Sequence, residues 1–131
     1  MYLGVGALGY FRRIVESELM HIVTEVKSLP NSDKGAIQKL LDEYERSGRV
    51  ASIYENIFEF LPLSLQSIDY NPLMLLYNQT SEGLHSYSEE ESLDKAFKVK
   101  ALLDFVIIKI NEEKSTLKDI RQIVKDLRPD Q

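Results

Sequence analysis

Near the start of the chain, Gly4, Gly6 and Gly9 follow the G-x-G-x-x-G pattern that binds the pyrophosphate of dinucleotides. That chemistry requires a buried strand directly before the glycines, so that the following helix presents its backbone N–H groups to the phosphates. Only three residues precede Gly4, too few for such a strand. We therefore interpret the glycines as small residues that let a first helix approach a neighbour closely, or as a sign that its first turn frays, and we predict no bound cofactor.

The two histidines are the next residues that could carry chemistry. His21 lies beside an apolar helical stripe, and His85 has no second His or Cys close to it in the sequence. A zinc site takes three or four ligands of these types, so we predict no metal site. Ser81, Ser86 and Ser88 flank His85, but none of them lies in the Gly-rich turn that exposes a catalytic serine.

Three consecutive acids, Glu89 to Glu91, resemble the paired carboxylates of general acid–base catalysis. Ser88 stands directly before them, and Glu91 follows it at the spacing of a capping box. Acidic residues in a first turn also suit the helix dipole. We therefore interpret this run as the start of a helix and not as a catalytic pair.

These candidate residues are positioned by helices, because apolar residues recur every three or four positions along most of the chain. No segment alternates with a period of two, so no strand is predicted. The sequence predicts an all-α, single-domain bundle of five or six helices spanning residues 1–131. The predicted helices cover about residues 3–29, 33–47, 50–61, 72–85, 88–112 and 116–128.

Two of the predicted helices have particular roles. We expect the long first and fifth helices to form the centre of a core within about residues 3–112. The last one, an amphipathic C-terminal helix at about 116–128, is expected to extend away or to cover a neighbour. Asn71 and Pro72 are a strong helix start, and Asn31 or Ser32 is the expected cap of the second helix.

Composition and charge exclude several classes of protein. The chain has no cysteine, and its content of 44% hydrophobic and 28% charged residues is that of an ordinary globular domain. Arg12 and Arg13 follow the apolar start instead of preceding it, the reverse of a secretory signal. We therefore predict a cytoplasmic protein with no membrane contact. The net charge of −5 argues against a non-specific nucleic-acid binder, and no Lys or Arg occurs between Arg49 and Lys95.

Three short motifs carry a family resemblance. Residues 10–16 read Tyr-Phe-Arg-Arg-Ile-Val-Glu, residues 81–85 read Ser-Glu-Gly-Leu-His, and residues 88–91 read Ser-Glu-Glu-Glu. In this order and spacing, over about residues 4–112, the chain resembles the HEPN-like helical domains. The similarity is to an uncharacterised bacterial branch, a domain of unknown function with the same Gly-Leu-His and Ser-Glu-Glu-Glu junction. In that branch the segment often looks like the C-terminal part of a longer protein, and we expect the same here.

The resemblance also implies a possible chemistry. Active HEPN domains are similar to one another in an Arg-polar-x(4–6)-His motif, and they usually act as metal-independent RNases in defence and toxin systems. On this chain His85 takes the His position and Asn78 the polar position, whereas Tyr77 stands where the Arg would be. The His would move the 2′-hydroxyl proton, and an Arg would stabilise the phosphorane charge. Arg12 or Arg13 would have to supply that charge, from the first helix or from a second subunit.

Two functions remain open from the sequence. The first is a non-catalytic HEPN-like module that self-associates or binds a protein partner, in a bacterial defence or toxin-type system. The second is a metal-independent endoribonuclease with a degenerate motif of His85, Asn78 and Arg12 or Arg13. RNA is the less favoured partner, because the acidic surroundings of His85 repel a phosphate backbone. A homodimer is expected from the resemblance, and because the first and fifth helices carry apolar residues around more than half their circumference.

Overall fold

The computed structural model describes residues 4–29, 32–81 and 89–129. Within these ranges the chain forms α-helices and one short 3₁₀ helix, without strands, so the predicted all-α single-domain bundle is confirmed. The elements in chain order are α1 (Gly4–Lys27), α2 (Lys34–Ser47), α3 (Val50–Asn56), a 3₁₀ turn (Phe58–Phe60), α4 (Leu63–Gln66), α5 (Pro72–Ser81) and α6 (Glu89–Leu127). None of these helices combines the length and apolarity needed to cross a membrane.

The bundle is centred on α1 and the first half of α6, which pack against each other and against α5. This is the central pair that the sequence predicts. Both helices bury residues spaced three and four apart, which gives each one a continuous apolar stripe. The stripes consist of Val15, Leu19, Ile22 and Val26 on α1 and of Val99, Leu103, Val106 and Ile110 on α6. Shorter helices complete the core, and α3 packs on both α2 and α5.

The start of α5 confirms the predicted cap. The Asn71 side chain accepts hydrogen bonds from the N–H groups of Leu73 at 3.1 Å and Met74 at 3.2 Å. Its amide also donates to the carbonyl of Tyr54 at 2.9 Å. Asn71 therefore provides acceptors for the free N–H groups in the first turn of α5, where Pro72 has no N–H, and it links that turn to α3.

The start of α2 differs from the prediction. Asp33 is the cap, because its carboxylate accepts from the N–H of Ala36 at 2.9 Å. The expected cap at Asn31 or Ser32 is wrong; Asn31 itself lies outside the described residues. The Ser32 hydroxyl instead donates to carbonyls at the end of α1, at 2.8 and 2.7 Å. At the other end, Gly48 closes α2 with a φ of +72°, a conformation that glycine adopts without strain.

The largest departure concerns the C-terminal third of the chain. The two helices predicted at about 88–112 and 116–128 are one continuous helix of 39 residues, α6, about 58 Å long. The separate C-terminal helix is therefore wrong. Thr116 and Asp119 suggested a new helix start, but the residues before them include no Gly or Pro that would break the existing helix. Every residue from Lys118 to Pro129 is exposed, so α6 continues beyond the bundle.

Candidate functional site

The residues of the predicted HEPN motif lie on three different segments. Asn78 is half-buried on α5, and Arg12 and Arg13 are exposed on the neighbouring α1. His85 and the predicted cap Ser88 lie outside the described residues. The structure therefore brings together the two helices that carry Asn78 and the arginines, and the position of His85 relative to them stays a prediction.

Tyr77 stands where an active motif has its arginine, and here it contributes to packing. Tyr77 lies on α5 with its ring centroid 5.6 Å from that of Tyr54, at an interplanar angle of 50°. This tilted arrangement is a favourable one for two aromatic rings. Burial raises the pKa of Tyr54 well above its ordinary value, and the nearby Tyr44, Glu16 and Tyr77 raise it further. Tyr77 thus belongs to an aromatic cluster at the edge of the core.

Arg12 has a charge partner on its own helix. Its Nε donates to the Glu16 carboxylate at 2.9 Å, one turn further along α1. Both side chains are about half exposed, so the pair is weak and costs little to open. The negative charge of Glu16 nevertheless compensates the guanidinium that an RNA-cleaving site would need. Arg13, the other candidate, is exposed on the same helix.

A cation of α6, Lys95, contacts the residue that follows Asn78 on α5. Lys95 of α6 donates its Nζ to the side-chain oxygen of Gln79, at 2.9 Å. In the sequence, Lys95 only marks the end of the interval without cations, from Arg49 onwards. The packing of α6 on α5 brings it back onto the acidic segment. The contact links the C-terminal end of α5 to the first turns of α6, and no local sequence signal predicts it.

The first half of α6 has a second apolar side. Opposite the buried stripe, residues spaced mainly four apart follow one line on the solvent side of the helix. Among them, Phe97 is 77% exposed and Ile108 is 51% exposed. We call this surface the outer face; it consists of Leu93, Phe97, Ala101, Phe105 and Ile108. A row of exposed large apolar side chains on one helix is typical of an association surface.

The last ten residues of α6, residues 118–127, form what we call the C-terminal extension. It exposes four aliphatic side chains at helical spacing, with Leu127 at 78% and the others at about half. These are Ile120, Ile123, Val124 and Leu127. An uncovered apolar stripe of this length is unusual on an isolated helix, because such a helix usually gains its stability from packing.

Basic residues follow the extension along an adjacent line. They are spaced three or four apart over four turns, so they share one side of the helix. This basic row consists of Lys114, Lys118, Arg121, Lys125 and Arg128. Most of the row, together with Ser28 after the end of α1, lines an open groove of ≈ 350 Å³.

The row is joined to the bundle at Lys114, whose ammonium pairs with the Glu25 carboxylate of α1. His21 lies 3.6 Å from the same carboxylate and has a side chain 61% exposed, so it is a surface residue. Across the described part of the chain, no three His, Cys, Asp or Glu residues are grouped as metal ligands would be.

Comparisons with known proteins find no relative. No family model matches the chain, and no curated protein or solved structure is similar to it.

Proposed function

We propose that this chain is a non-catalytic HEPN-like association module that forms a homodimer through the outer face of α6. The observation that carries the proposal is the exposure of large apolar side chains on that face, with Phe97 at 77% as the clearest case. Leaving them in water forgoes the free energy that a second molecule would recover by covering them, about 25 cal/mol for each Å² of apolar surface.

The shape of the surface also favours a homodimer. The outer face lies on one helix whose opposite side is buried against α1 and α5, so it is held in place before any partner binds. A rigid surface loses little conformational entropy on association. In a two-fold symmetric dimer each copy contacts the other through the same residues. A surface on a single helix can therefore pair with its own copy.

Three observations support a non-catalytic role. Tyr77 occupies the position of the motif arginine and packs against Tyr54. Arg12 is compensated by Glu16. The interval of sequence around His85 is acidic and has no cation until Lys95, which contacts Gln79. An RNA-cleaving site needs an uncompensated positive group beside the reacting phosphate. On the family resemblance, we propose that the module acts in the cytoplasm, in a bacterial defence or toxin-type system.

Self-association is tested by sedimentation velocity of the full chain over a concentration series. We expect a species of twice the 15.1 kDa monomer mass. Phe97→Glu should convert it to monomer, because a carboxylate would be buried without a partner at the interface. Tyr70→Glu is the matched control, since Tyr70 is an exposed aromatic residue (58%) away from α6. A wild-type chain that stays monomeric at high micromolar concentration would disprove the homodimer.

The non-catalytic role is tested separately, by incubating the purified protein with single-stranded and transfer RNA in EDTA. We expect no cleavage by the wild-type chain. Cleavage that is lost in His85→Ala would instead establish the metal-independent RNase and give His85 its catalytic role.

A further inference from the structure

We infer that the C-terminal extension of α6 docks an acidic amphipathic helix of a different protein, in the corner that the extension forms with the end of α1. This docking surface lies on the bundle side of α6, whereas the outer face proposed for the homodimer lies on the opposite side, so the two surfaces can be occupied independently. Three features of the extension lead to the inference: its uncovered apolar stripe, its unpaired cations, and the hollows at its base.

The apolar stripe of the extension continues the stripe that the bundle buries. Leu103, Val106 and Ile110 lie at intervals of three and four residues and belong to the core. The same heptad spacing resumes on that side of the helix at Leu117, Ile120, Val124 and Leu127. However, α1 ends at Lys27, and every residue from Lys118 to Pro129 is exposed. Within the described ranges, therefore, no element covers the stripe from Ile120 onwards.

The cations of the extension differ from those of the packed part of α6. In the packed part, four lysines pair with carboxylates of α6 or α1, in the pairs Lys98–Asp94, Lys100–Asp104, Lys109–Glu112 and Lys114–Glu25. By contrast, Lys118, Arg121 and Lys125 form no ion pair with any residue that the structure describes. Because they lie three or four residues apart on one side of the helix, their like charges repel one another. Carboxylates of a partner would relieve this repulsion.

The base of the extension is concave. Most of the basic row lines the open groove of ≈ 350 Å³ together with Ser28. A second hollow, of ≈ 230 Å³, is lined in part by Leu29, Leu63 and Leu117. Leu63 is 78% exposed, so apolar surface at the end of the bundle adjoins the first residue of the uncovered stripe. A partner that lies on the stripe therefore also contacts the end of the bundle and the basic row.

A helix suits this corner better than a membrane or a nucleic acid. Since the stripe lies on the bundle side, the bundle projects beside it and keeps a flat bilayer away from Leu117. A helix is only about 10 Å across and fits beside the extension. A nucleic-acid strand would contact the basic row but leave the aliphatic stripe in water. An amphipathic helix covers the stripe with its apolar face and reaches the basic row with acids at its flank.

A second copy of the extension does not meet these requirements. If two extensions paired in parallel through their stripes, the two bundles would occupy the same space, because each bundle lies on the stripe side of its own helix. If they paired antiparallel, the sides that carry the basic rows would face each other, and like charges repel. The occupant is therefore a helix with the opposite charge.

The docking site is tested with a synthetic helical peptide of about 20 residues, with leucine at heptad positions a and d and glutamate at e and g. Its binding to the full chain is followed by fluorescence anisotropy of an attached fluorescein. We expect this acidic peptide to bind at least ~10-fold more tightly than a matched peptide with lysine for glutamate. No binding of the acidic peptide at high micromolar protein concentration, or equal binding of both peptides, would overturn the inference.

The basic row is tested by reversing two of its charges. The double variant Lys118→Glu/Lys125→Glu should raise the Kd of the acidic peptide by roughly tenfold, since each exposed pair contributes a few fold. The matched control is Lys98→Glu/Lys100→Glu, which changes the net charge equally at exposed lysines of the packed part of α6. If both double variants weaken binding to the same extent, only the overall charge attracts the peptide and the docking site is wrong.

The apolar stripe is tested by Ile120→Gln, because glutamine removes apolar surface and keeps a high helix propensity. We expect the acidic peptide to bind roughly tenfold more weakly, with the circular dichroism of the chain unchanged. Wild-type affinity in this variant would overturn the inference. Co-sedimentation of the wild-type chain with phosphatidylserine vesicles, lost in Ile120→Gln, would instead assign the stripe to a membrane surface.

This inference and the homodimer fail separately. Phe97→Glu, which should abolish the dimer, should leave the Kd of the acidic peptide unchanged, and Ile120→Gln should leave the sedimentation of the dimer unchanged. A monomeric wild-type chain that binds the acidic peptide would therefore disprove the homodimer alone, and a dimer that does not bind it would disprove the docking site alone.

Discussion

The packed part of α6 and its C-terminal extension have similar patterns and different surroundings. In the packed part, Val106 and Ile110 are at most 1% exposed. In the extension, Ile120 and Val124 repeat the spacing and the residue types, yet about half of each side chain is exposed. The pattern of an amphipathic helix is therefore the same whether or not another element of the chain covers it. What differs is the length of α1, which ends before the extension begins.

The largest expected difference between the packed part and the extension is in stability. Ile110→Ala should lower the free energy of unfolding by roughly 2–5 kcal/mol, because it leaves a cavity in the core. Ile120→Ala, the same substitution in the extension, should change it by less than about 0.5 kcal/mol in the monomer. Urea unfolding at low protein concentration measures both. Equal losses would mean that the extension is packed within its own chain.

At alkaline pH the stability of the bundle should fall, whereas the helicity of the extension should not change with it. The pKa of Tyr54 is raised by burial, so the folded chain holds this proton at a pH where the unfolded chain has lost it. The stabilisation is fully present below pH ~10 and is lost as the pH rises above it, at about 1.4 kcal/mol per pH unit. Unfolding followed between pH 9 and 11 should show this slope in the wild type and a smaller one in Tyr54→Phe. The helicity of the extension should not follow the Tyr54 titration.

Substitutions on the outer face should change self-association and leave the stability of the monomer almost unchanged. Phe97→Ser removes apolar surface only from the outer face, so it should raise the dimer Kd by roughly tenfold while leaving monomer stability nearly unchanged. Sedimentation equilibrium gives the affinity, and urea unfolding of the dilute protein gives the stability. Leu63→Ser is a suitable control, because Leu63 is 78% exposed on α4. A similar effect of both changes on the Kd would remove the special role of the outer face.

The smallest effect on stability is expected where the extension leaves the bundle. Lys114→Ala removes the pair with Glu25, whose side chains are 41% and 23% exposed. Since the pair is partly exposed, its loss should cost no more than about 1 kcal/mol. Lys118→Ala, one turn further along the basic row and exposed, should cost less. If thermal unfolding ranks the two variants in the opposite order, the end of the bundle is not where the Lys114–Glu25 contact indicates.

Much of the bundle follows from local features of the sequence. The apolar stripes of α1 and α6 predict their buried faces, and Asn71 with Pro72 predicts the start of α5. The cap of α2 was less predictable, because Asn31, Ser32 and Asp33 are adjacent and all can cap a helix. The choice depends on Ser32, whose hydroxyl is already used by carbonyls at the end of α1.

The candidate site was only partly predictable, since it depends on which helices meet. The sequence suggests apolar residues around most of α6, but it does not tell which side packs on α1 and which stays exposed. It also does not place Lys95 beside Gln79, because that contact joins residues 16 positions apart through the packing of two helices. The role of His85 remains a prediction from the motif.

The sequence by itself determined the class of the fold, the helical stripes and the acidic-to-basic change along the last third of the chain, because these depend only on residue types and their spacing. The tertiary structure decided that this last third is one helix, where α1 ends beside it, and therefore which part of its apolar stripe is left exposed. Burial is a property of the whole arrangement: a side chain is covered only if another element reaches it, and no local pattern records how far that element extends.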